Sequence, residues 1–327
     1  MKISIIIPVY NVKDYIIKCL ESVSAQTYED ELECILVDDC GSDDSMALVN
    51  SYLSKYEGRI CYKTLRHERN RGLSAARNTA MEEATGDYVF FLDSDDEITP
   101  NCIKELTDPL KNTQCDVVIG GIKTIGDDHL QVFLKLKLDN TELNENEIGR
   151  SYLTRSWNMM AQAKLYNINF LKREHLSFKE GLIHEDELWS FQIACLAKKI
   201  CIVNSNVYLY YVRCNGITGN QTLFKKMMVF KVIVHEMALF LKNRRIKNRY
   251  MYVFMHHYLY TVLKYFSNDY NNFKDSYSYM VSVTRFPLII RLKSNGKSIR
   301  LQIRDLHYFM PRKIGVIWEY YLLRMVG

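Results

Sequence analysis

Through the first two thirds of the chain, short apolar runs alternate with stretches of helical spacing. Ile3 to Val9 is an apolar strand, and Asp14 to Ala25 repeats its apolar residues at helical intervals through Tyr15, Ile16, Cys19, Leu20 and Val23. Leu32 to Val37 forms a second strand ending at Asp38-Asp39, and Ser42 or Asp43 can cap a helix through about Tyr56. A third strand runs from Ile60 to Leu65. Asn70-Arg71-Gly72 then breaks the chain before a helix from Leu73 to Ala84, which Gly86 ends. Tyr88 to Leu92 reads as a strand buried on both faces. Four repeats of strand then helix predict an α/β fold, a mostly parallel sheet flanked by helices and joined by right-handed crossovers.

The pattern then loosens. A helix is expected from Thr99 to about Leu110, with Pro100 in its first turn, and a strand around Val117 to Ile119. Gly120-Gly121 to Asn146 reads as a hairpin or loops. Helical spacing returns at Glu147 to Arg155, at Asn169 to His175, and from the Gly181 region to about Leu196; Ile200 to Val203 and Tyr208 to Val212 complete the half as strands. Beyond Asn220 the character changes to helices with Tyr, Phe and Met on one side and Lys or Arg on the other: Met227 to Leu241, Tyr250 to Phe266, Phe273 to Val283 and Ile314 to Met325. None has the roughly 18 to 20 apolar residues needed to cross a bilayer. Two regions are therefore expected, 1–219 and 220–327.

Charge sharpens that division. Residues 1–219 hold 24 Lys and Arg against 33 Asp and Glu, whereas 220–327 hold 19 against 5, so nets of −9 and +14 combine into the modest +5 of the whole chain. The run after Met1-Lys2 ends at Pro8, too early for a signal peptide, so a cytoplasmic protein is expected. The nine cysteines are odd in number and form no CxxC pair, and they read as reduced, mostly packed thiols, not a disulfide framework or a zinc site. The basic C-terminal region carries no recognised nucleic-acid-binding motif.

The chemistry gathers where strands end. Asp93, Asp95, Asp96 and Glu97 follow the buried Tyr88 strand directly, and like charges so close raise one another's pKa or require a cation. A divalent metal on one or two carboxylates, completed by phosphate oxygens of a ligand, is one solution; an acidic turn capping the next helix is the other. Pro8-Val9-Tyr10-Asn11, Asp38-Asp39 and Asp93-Ser94-Asp95 all lie at strand C-termini, the edge where such sheets bind ligands. Gly72 permits a close backbone approach at a helix start, with Arg77 and Asn78 one turn further on. His184-Glu185-Asp186-Glu187 opens another helix, with Trp189 offering an aromatic wall; a carboxylate there either answers the helix dipole or removes a proton from an incoming hydroxyl. Arg213 to Thr218, in a glycine-bearing loop, is a linker or a cover for a diphosphate.

In this order and spacing, Ser4 to Asn11, Leu36-Val37-Asp38-Asp39 with Ser42, Asp43 and Ser45, Asn70 to Asn78, Phe91 to Asp96, and Glu180-Gly181 with His184-Glu185-Asp186 resemble a family 2 glycosyltransferase of the GT-A fold, the bacterial surface-glycan type. The resemblance covers about residues 2–219. It implies a Rossmann-like sheet and an inverting enzyme that takes a hexose-type sugar from a nucleotide-diphosphate sugar, a UDP-sugar being favoured. By the same resemblance, Pro8, Val9, Tyr10 and Asp39 match the pocket for base and ribose, with Gly72, Arg77, Asp93 and Ser94 along the nucleotide. Asp93 and Asp95 match the DxD motif, Asp95 as ligand of Mn²⁺ or Mg²⁺. Asp186 matches the catalytic base with Glu185 beside it, and Arg213 and Thr218 the loop over the diphosphate, where Gly216 stands in place of a common serine.

The acceptor implied is a glycan or a polyprenyl-diphosphate-linked glycan. Region 220–327 suits an anionic membrane face, which would hold the protein peripherally at the inner side of the cell membrane; packing on the catalytic half or a homodimer contact is the alternative use of the same helices. Two other functions compete. A nucleotidyltransferase usually carries a glycine-rich, lysine-bearing loop where this chain has Val9-Tyr10-Asn11-Val12, and an inactive glycan-binding scaffold has no need of intact Asp93, Asp95 and Asp186.

Overall fold

A computed structural model describes residues 1–126, 134–213, 222–284 and 306–325. The chain divides into two compact units, Met1–Gly219 and Asn220–Gly327.

The first unit is built on a nine-stranded sheet: β1 (Ile3–Val9), β2 (Leu32–Asp38), β3 (Cys61–Arg66), β4 (Tyr88–Phe91), β5 (Glu97–Ile98), β6 (Val117–Ile125), β7 (Thr141–Asn144), β8 (Lys164–Asn167) and β9 (Lys199–Tyr211). The order is β3-β2-β1-β4-β8-β6-β9-β5, with β7 on β9. β3, β2, β1 and β4 are parallel, as the strand–helix repeats predict. The second half of the sheet is mixed, because β8 runs antiparallel to both β4 and β6.

Every residue of β1, β2 and β4 is buried, since helices cover both faces. Alternation along the strands divides the core. Ile3, Ile5, Ile7, Leu36 and Phe90 share a cluster with Ile16, Cys19, Leu20 and Val23 of α1 (Ile16–Ser24), Val49 of α2 (Ser45–Leu53), and Ile103 and Leu106 of α4 (Cys102–Thr107). On the other face Phe91 packs against Tyr166, Phe178 and Trp189. In chain order α3 (Leu73–Glu83) comes between α2 and α4, and the other α-helices described in the unit are α5 (Glu145–Leu153), α6 (Ile168–Arg173) and α7 (Glu185–Leu196).

Several elements differ from expectation. β6 continues through Gly120-Gly121, where a loop was expected. A Cβ on Gly120 would lie 2.6 Å from Val207 Cγ2, so the glycines let β9 approach, and the ladder slips register there. The strand pair expected at Ile200 to Val203 and Tyr208 to Val212 is one strand, β9. The strand β5 begins at Glu97, the last of the four acids, and the helix expected from Thr99 begins at Cys102, so the acidic turn does not cap it. A disulfide joins Cys115 to Cys201, correcting the expectation that all the cysteines are thiols; pairing of β6 with β9 brings their Cα atoms to 6.2 Å.

The second unit contains α8 (Leu223–Asn243), α9 (Arg249–Phe266), α10 (Tyr270–Thr284), a 3₁₀ turn Leu306–Phe309 and α11 (Arg312–Met325). Thr222 caps α8 by accepting the Lys225 N–H, so this helix begins before the expected Met227.

Gly86 marks the tightest approach to β1. A Cβ there would lie 2.6 Å from Ser4 Oγ and 2.8 Å from Ser4 N, and Ser4 Oγ already accepts the Gly86 N–H while donating to the buried Glu33. Gly86→Ala is expected to lower stability by about 1–3 kcal/mol through overpacking. An unchanged midpoint in urea unfolding would contradict this account.

Candidate active site

Three loops meet at the C-terminal edge of β1, β2 and β4. After β1, Asn11 takes a left-handed backbone (φ 52°), and its Oδ1 accepts the N–H groups of Ser42 and Asp43, tying the β1 loop to the β2 loop. Pro8 and Val9 are buried, while Tyr10 is about half exposed. A cavity of about 160 Å³ opens beside them, lined by Val9, Asn11, Asp38, Asp43, Met46 and Arg66 among others.

The buried Asp39 organises the next loop. Its Oδ1 accepts from Arg71 N at 2.8 Å and lies 2.6 Å from His67 Nδ1, and its Oδ2 accepts from Gly72 N at 2.7 Å. Gly72 precedes α3 with φ 87°, a backbone that disfavours any side chain although space surrounds it. The loop is bound to a third one by Arg71, whose guanidinium reaches Glu180 at 3.0 Å, and by Asn78, which exchanges two hydrogen bonds with the Phe178 backbone at 2.8 and 2.9 Å.

Arg77 joins the carboxylates. Its guanidinium is wholly buried and donates to Asp93 Oδ1 at 2.8 Å, Glu185 Oε1 at 2.8 Å and Asp186 Oδ1 at 3.2 Å. Burial opposes its charge, but Asp93, Asp186 and Glu185 hold it protonated and raise its pKa. Phe178 and Phe91 lie 5.1 and 5.9 Å from its guanidinium carbon. Arg77, assigned in sequence to the nucleotide, is thus an interior cation. Trp189, expected as a wall of the pocket, is also interior and stacks on Phe178 at 4.1 Å, backing the arginine.

Asp186 sits in the first turn of α7, after a loop that uses left-handed backbone at Gly181 (φ 74°) and His184 (φ 58°). Burial, then the charge of Glu185, raises its pKa well above the usual carboxylate range, against the pull of Arg77 and Lys164. Its side chain remains 23% exposed, enough for a hydroxyl to reach.

The turn after β4 gives each acid a different place. Asp93 is gripped on Oδ1 by Arg77 and on Oδ2 by Gln162 Nε2 at 2.5 Å. Ser94 is buried. Asp95 lies 3.0 Å from Arg213 Nε, and burial with the Asp93 charge raises its pKa against that arginine. Arg213 itself stacks over Tyr15 at 3.7 Å. Asp96 accepts from Tyr208 Oη at 2.7 Å and Tyr211 N at 2.9 Å; burial, with the charges of Asp93 and Asp95, pushes it up to about 8. Thr218 lies outside the described residues. Among the described residues no cluster of three or more His, Cys, Asp or Glu gathers as a metal cage.

Two participants escaped the sequence reading. Lys164 is buried and donates to Asn158 Oδ1 at 2.7 Å and to the carbonyls of Met160 and Gln162, so it shapes the loop that delivers Gln162 to Asp93. Burial pushes its pKa down to about 7 against the opposing pull of Asp186. The nearest signal was a run, Ala161 to Tyr166, in which Gln162 and Lys164 alternate with apolar residues.

Replacing Arg77 with Met leaves Asp93, Glu185 and Asp186 facing one another without their cation. A loss of about 3–5 kcal/mol is expected at neutral pH. Arg77→Lys should recover little of it, because an ammonium does not reproduce the planar fork. Chemical unfolding of both variants checks this, and wild-type stability in Arg77→Met would contradict the hub.

Comparison with known proteins accords with this geometry. A family model described as glycosyl transferase family 2 matches residues 4–173. Glycosyltransferase GlyA of Streptococcus pneumoniae is 31% identical over 225 residues, 65% of this chain and 31% of GlyA. The poly(ribitol-phosphate) beta-glucosyltransferase of Bacillus spizizenii is 32% identical over 219 residues, 66% of this chain and 33% of that protein. The chain therefore spans about a third of the length of these two relatives. The crystal structure of S. aureus TarS 1–349 in complex with UDP-GlcNAc superposes with a TM-score of 0.75, covering 99% of this chain and 91% of that one at 21% identity, which shows a shared GT-A fold. With the family model matching more than half of its residues, the chain belongs to glycosyl transferase family 2.

Proposed function

We propose that the protein is an inverting, metal-dependent hexosyltransferase that uses a UDP-sugar as donor and a hydroxyl of a glycan or lipid-linked glycan as acceptor, with Asp186 as base. The observation that carries this reading is the Arg77 cluster. One guanidinium joins Asp93, on the loop suited to the donor, to Glu185 and Asp186, on the helix suited to the acceptor.

The parts divide as follows. Val9 lines the cavity suited to the base and ribose, with Pro8 just before it and exposed Tyr10 just after it in the chain. Asp39 holds the Gly72 loop, and its Oδ2, which accepts one N–H from that loop, has a second lone pair for the imide of a uracil ring. Gly72 opens α3 toward phosphate, and Ser94 lies between the two DxD acids. The solved TarS complex with UDP-GlcNAc, which shares this fold, supports a UDP-sugar.

Asp93 and Asp95 supply hard carboxylate oxygens, a donor set suited to Mn²⁺ or Mg²⁺. The ion, when bound, would draw charge from the leaving diphosphate. Asp95 would exchange its Arg213 partner for the cation, which leaves Arg213 to meet diphosphate oxygens alongside Thr218. Asp186 accepts the proton of the attacking hydroxyl. Its raised pKa makes it a stronger base than an ordinary carboxylate, and Glu185 beside it contributes to that rise. Attack comes opposite the leaving group, so an α-linked donor yields a β-glycoside in one displacement, without a covalent sugar–enzyme intermediate. The poly(ribitol-phosphate) substrate named for a relative supports a surface-glycan acceptor. A membrane-linked acceptor would bring the protein to the inner face of the cell membrane, and a homodimer through 220–327 is compatible with the same reading.

Asp186→Asn is expected to bind UDP as wild type does while losing about 10²–10⁴-fold in transfer. In wild type, transfer should fall as pH drops through the raised Asp186 pKa, because only the deprotonated form accepts a proton; a rate that holds down to the ordinary carboxylate range would remove Asp186 as base. Asp95→Ala should abolish the part of the UDP thermal shift that depends on Mn²⁺. If UDP with Mn²⁺ shifts the mutant as much as the wild type, Asp95 is no ligand, and if it shifts neither, the uracil-nucleotide donor is wrong.

A further inference from the structure

We propose that α11 is an interfacial helix that docks the protein on an anionic lipid surface. Four of its apolar side chains, Ile314, Ile317, Trp318 and Tyr321, are between 37% and 61% exposed. They recur at i, i+3, i+4 and i+7 and therefore form one continuous stripe. A stripe this exposed, with an aromatic pair in it, is unusual on a surface that meets only water.

The opposite side of the helix is held inward, so the stripe cannot rotate out of view. Val316, Glu319 and Leu323 are buried, and a Cβ on Gly315 would lie 2.7 Å from the His307 carbonyl and 2.7 Å from Tyr277 Oη. Tyr320 packs edge-on against Tyr270 at 5.0 Å and tilts against Phe273 at 5.4 Å.

Charge selects the occupant. Glu319, the one acid in α11, is turned inward beside His307 at 3.8 Å, whereas Arg312, Lys313 and Arg324 are exposed. Within α11 the exposed charges are thus all cations, Arg312 donating to the Ser278 carbonyl and Arg324 to Tyr320 Oη, in a region whose net charge is +14. A second copy of the same patch would bring like charges together, while lipid phosphates would neutralise them. At 14 residues the helix is too short to span a bilayer, and no helix of the described residues is long and apolar enough to do so. Lying in the interface fits its length: apolar stripe among the upper acyl chains, Trp318 and Tyr321 at headgroup level, and arginines and lysine on the phosphates.

This inference deepens the proposed membrane-side acceptor, yet it is tested without donor or acceptor, so its failure leaves the transfer reading standing. Tryptophan fluorescence offers a direct probe, because Trp157 and Trp189 are buried and Trp318 is the exposed one of the three. The full-length protein should float with vesicles of equal parts phosphatidylcholine and phosphatidylglycerol and stay behind with phosphatidylcholine alone. Its emission should shift to the blue and be quenched by brominated acyl chains. Arg312→Glu with Lys313→Glu should weaken vesicle binding on the order of tenfold or more. Ile317→Glu with Tyr321→Glu, both at exposed positions, should abolish the blue shift while leaving the far-ultraviolet circular dichroism and the UDP thermal shift unchanged.

Wild-type protein that ignores the anionic vesicles, or that floats with no change in Trp318 emission, overturns the proposal. So does a dimer in lipid-free buffer that the Ile317→Glu, Tyr321→Glu variant dissolves, since the stripe would then belong to a second copy.

Discussion

The active-site half of this protein depends on one buried cation. Arg77 has no contact with water, so its charge must be neutralised by groups within hydrogen-bond reach, and Asp93, Glu185 and Asp186 do this. The neutralisation is lopsided. Three carboxylates around one guanidinium leave an excess of negative charge in a partly desolvated place, and that excess contributes to the raised pKa of Asp186. The same imbalance suits the proposed roles, a site that receives a divalent cation and a carboxylate that takes up a proton. A perfectly balanced cluster would be more stable and less reactive.

Around this centre the chain uses short polar bridges to hold three loops at fixed separations. Asn11 binds the β2 loop, Asp39 binds the start of α3, and Arg71 and Asn78 bind the segment that leads into α7. All three loops are bent by left-handed backbone, at Asn11, at Gly72 and at Gly181 with His184, where no regular element could turn so sharply. Lys164 adds a second, hidden layer. Its three acceptors shape the segment that sets Gln162 on Asp93, so the Asp93 carboxylate is gripped on both oxygens before any ligand arrives. Preorganisation of this kind is what electrostatic catalysis requires, because groups already oriented need no reorganisation during the reaction.

Much of the fold was legible for a simple reason. β1, β2 and β4 are covered on both faces, so their sequences are mostly apolar and stop at polar residues, and the parallel order follows from the helices between them. Where a strand is marked by other means, reading failed. β8 opens with Lys164, a charge that marks a loop unless its acceptors are known. β6 runs through two glycines whose purpose is the approach of β9. Cys115 and Cys201 are 86 positions apart, and sheet pairing alone makes them neighbours. Trp189 announced an aromatic surface, and the surface faces inward.

Composition and order were enough to determine the strand ends, the acids placed on them, and a basic, aromatic C-terminal region. These are local properties: each depends on residues within a few positions of one another. Tertiary structure decided which acid meets which cation. Arg77 reaches 16 residues forward to Asp93 and 108 to Glu185, and Arg213 reaches back 118 to Asp95. It also decided that Glu319 faces inward while Trp318 does not. Hydrogen bonds and ion pairs act over a few ångströms, so partners separated by a hundred residues are chosen by the packing of the elements that carry them, and no spacing in the sequence encodes that choice.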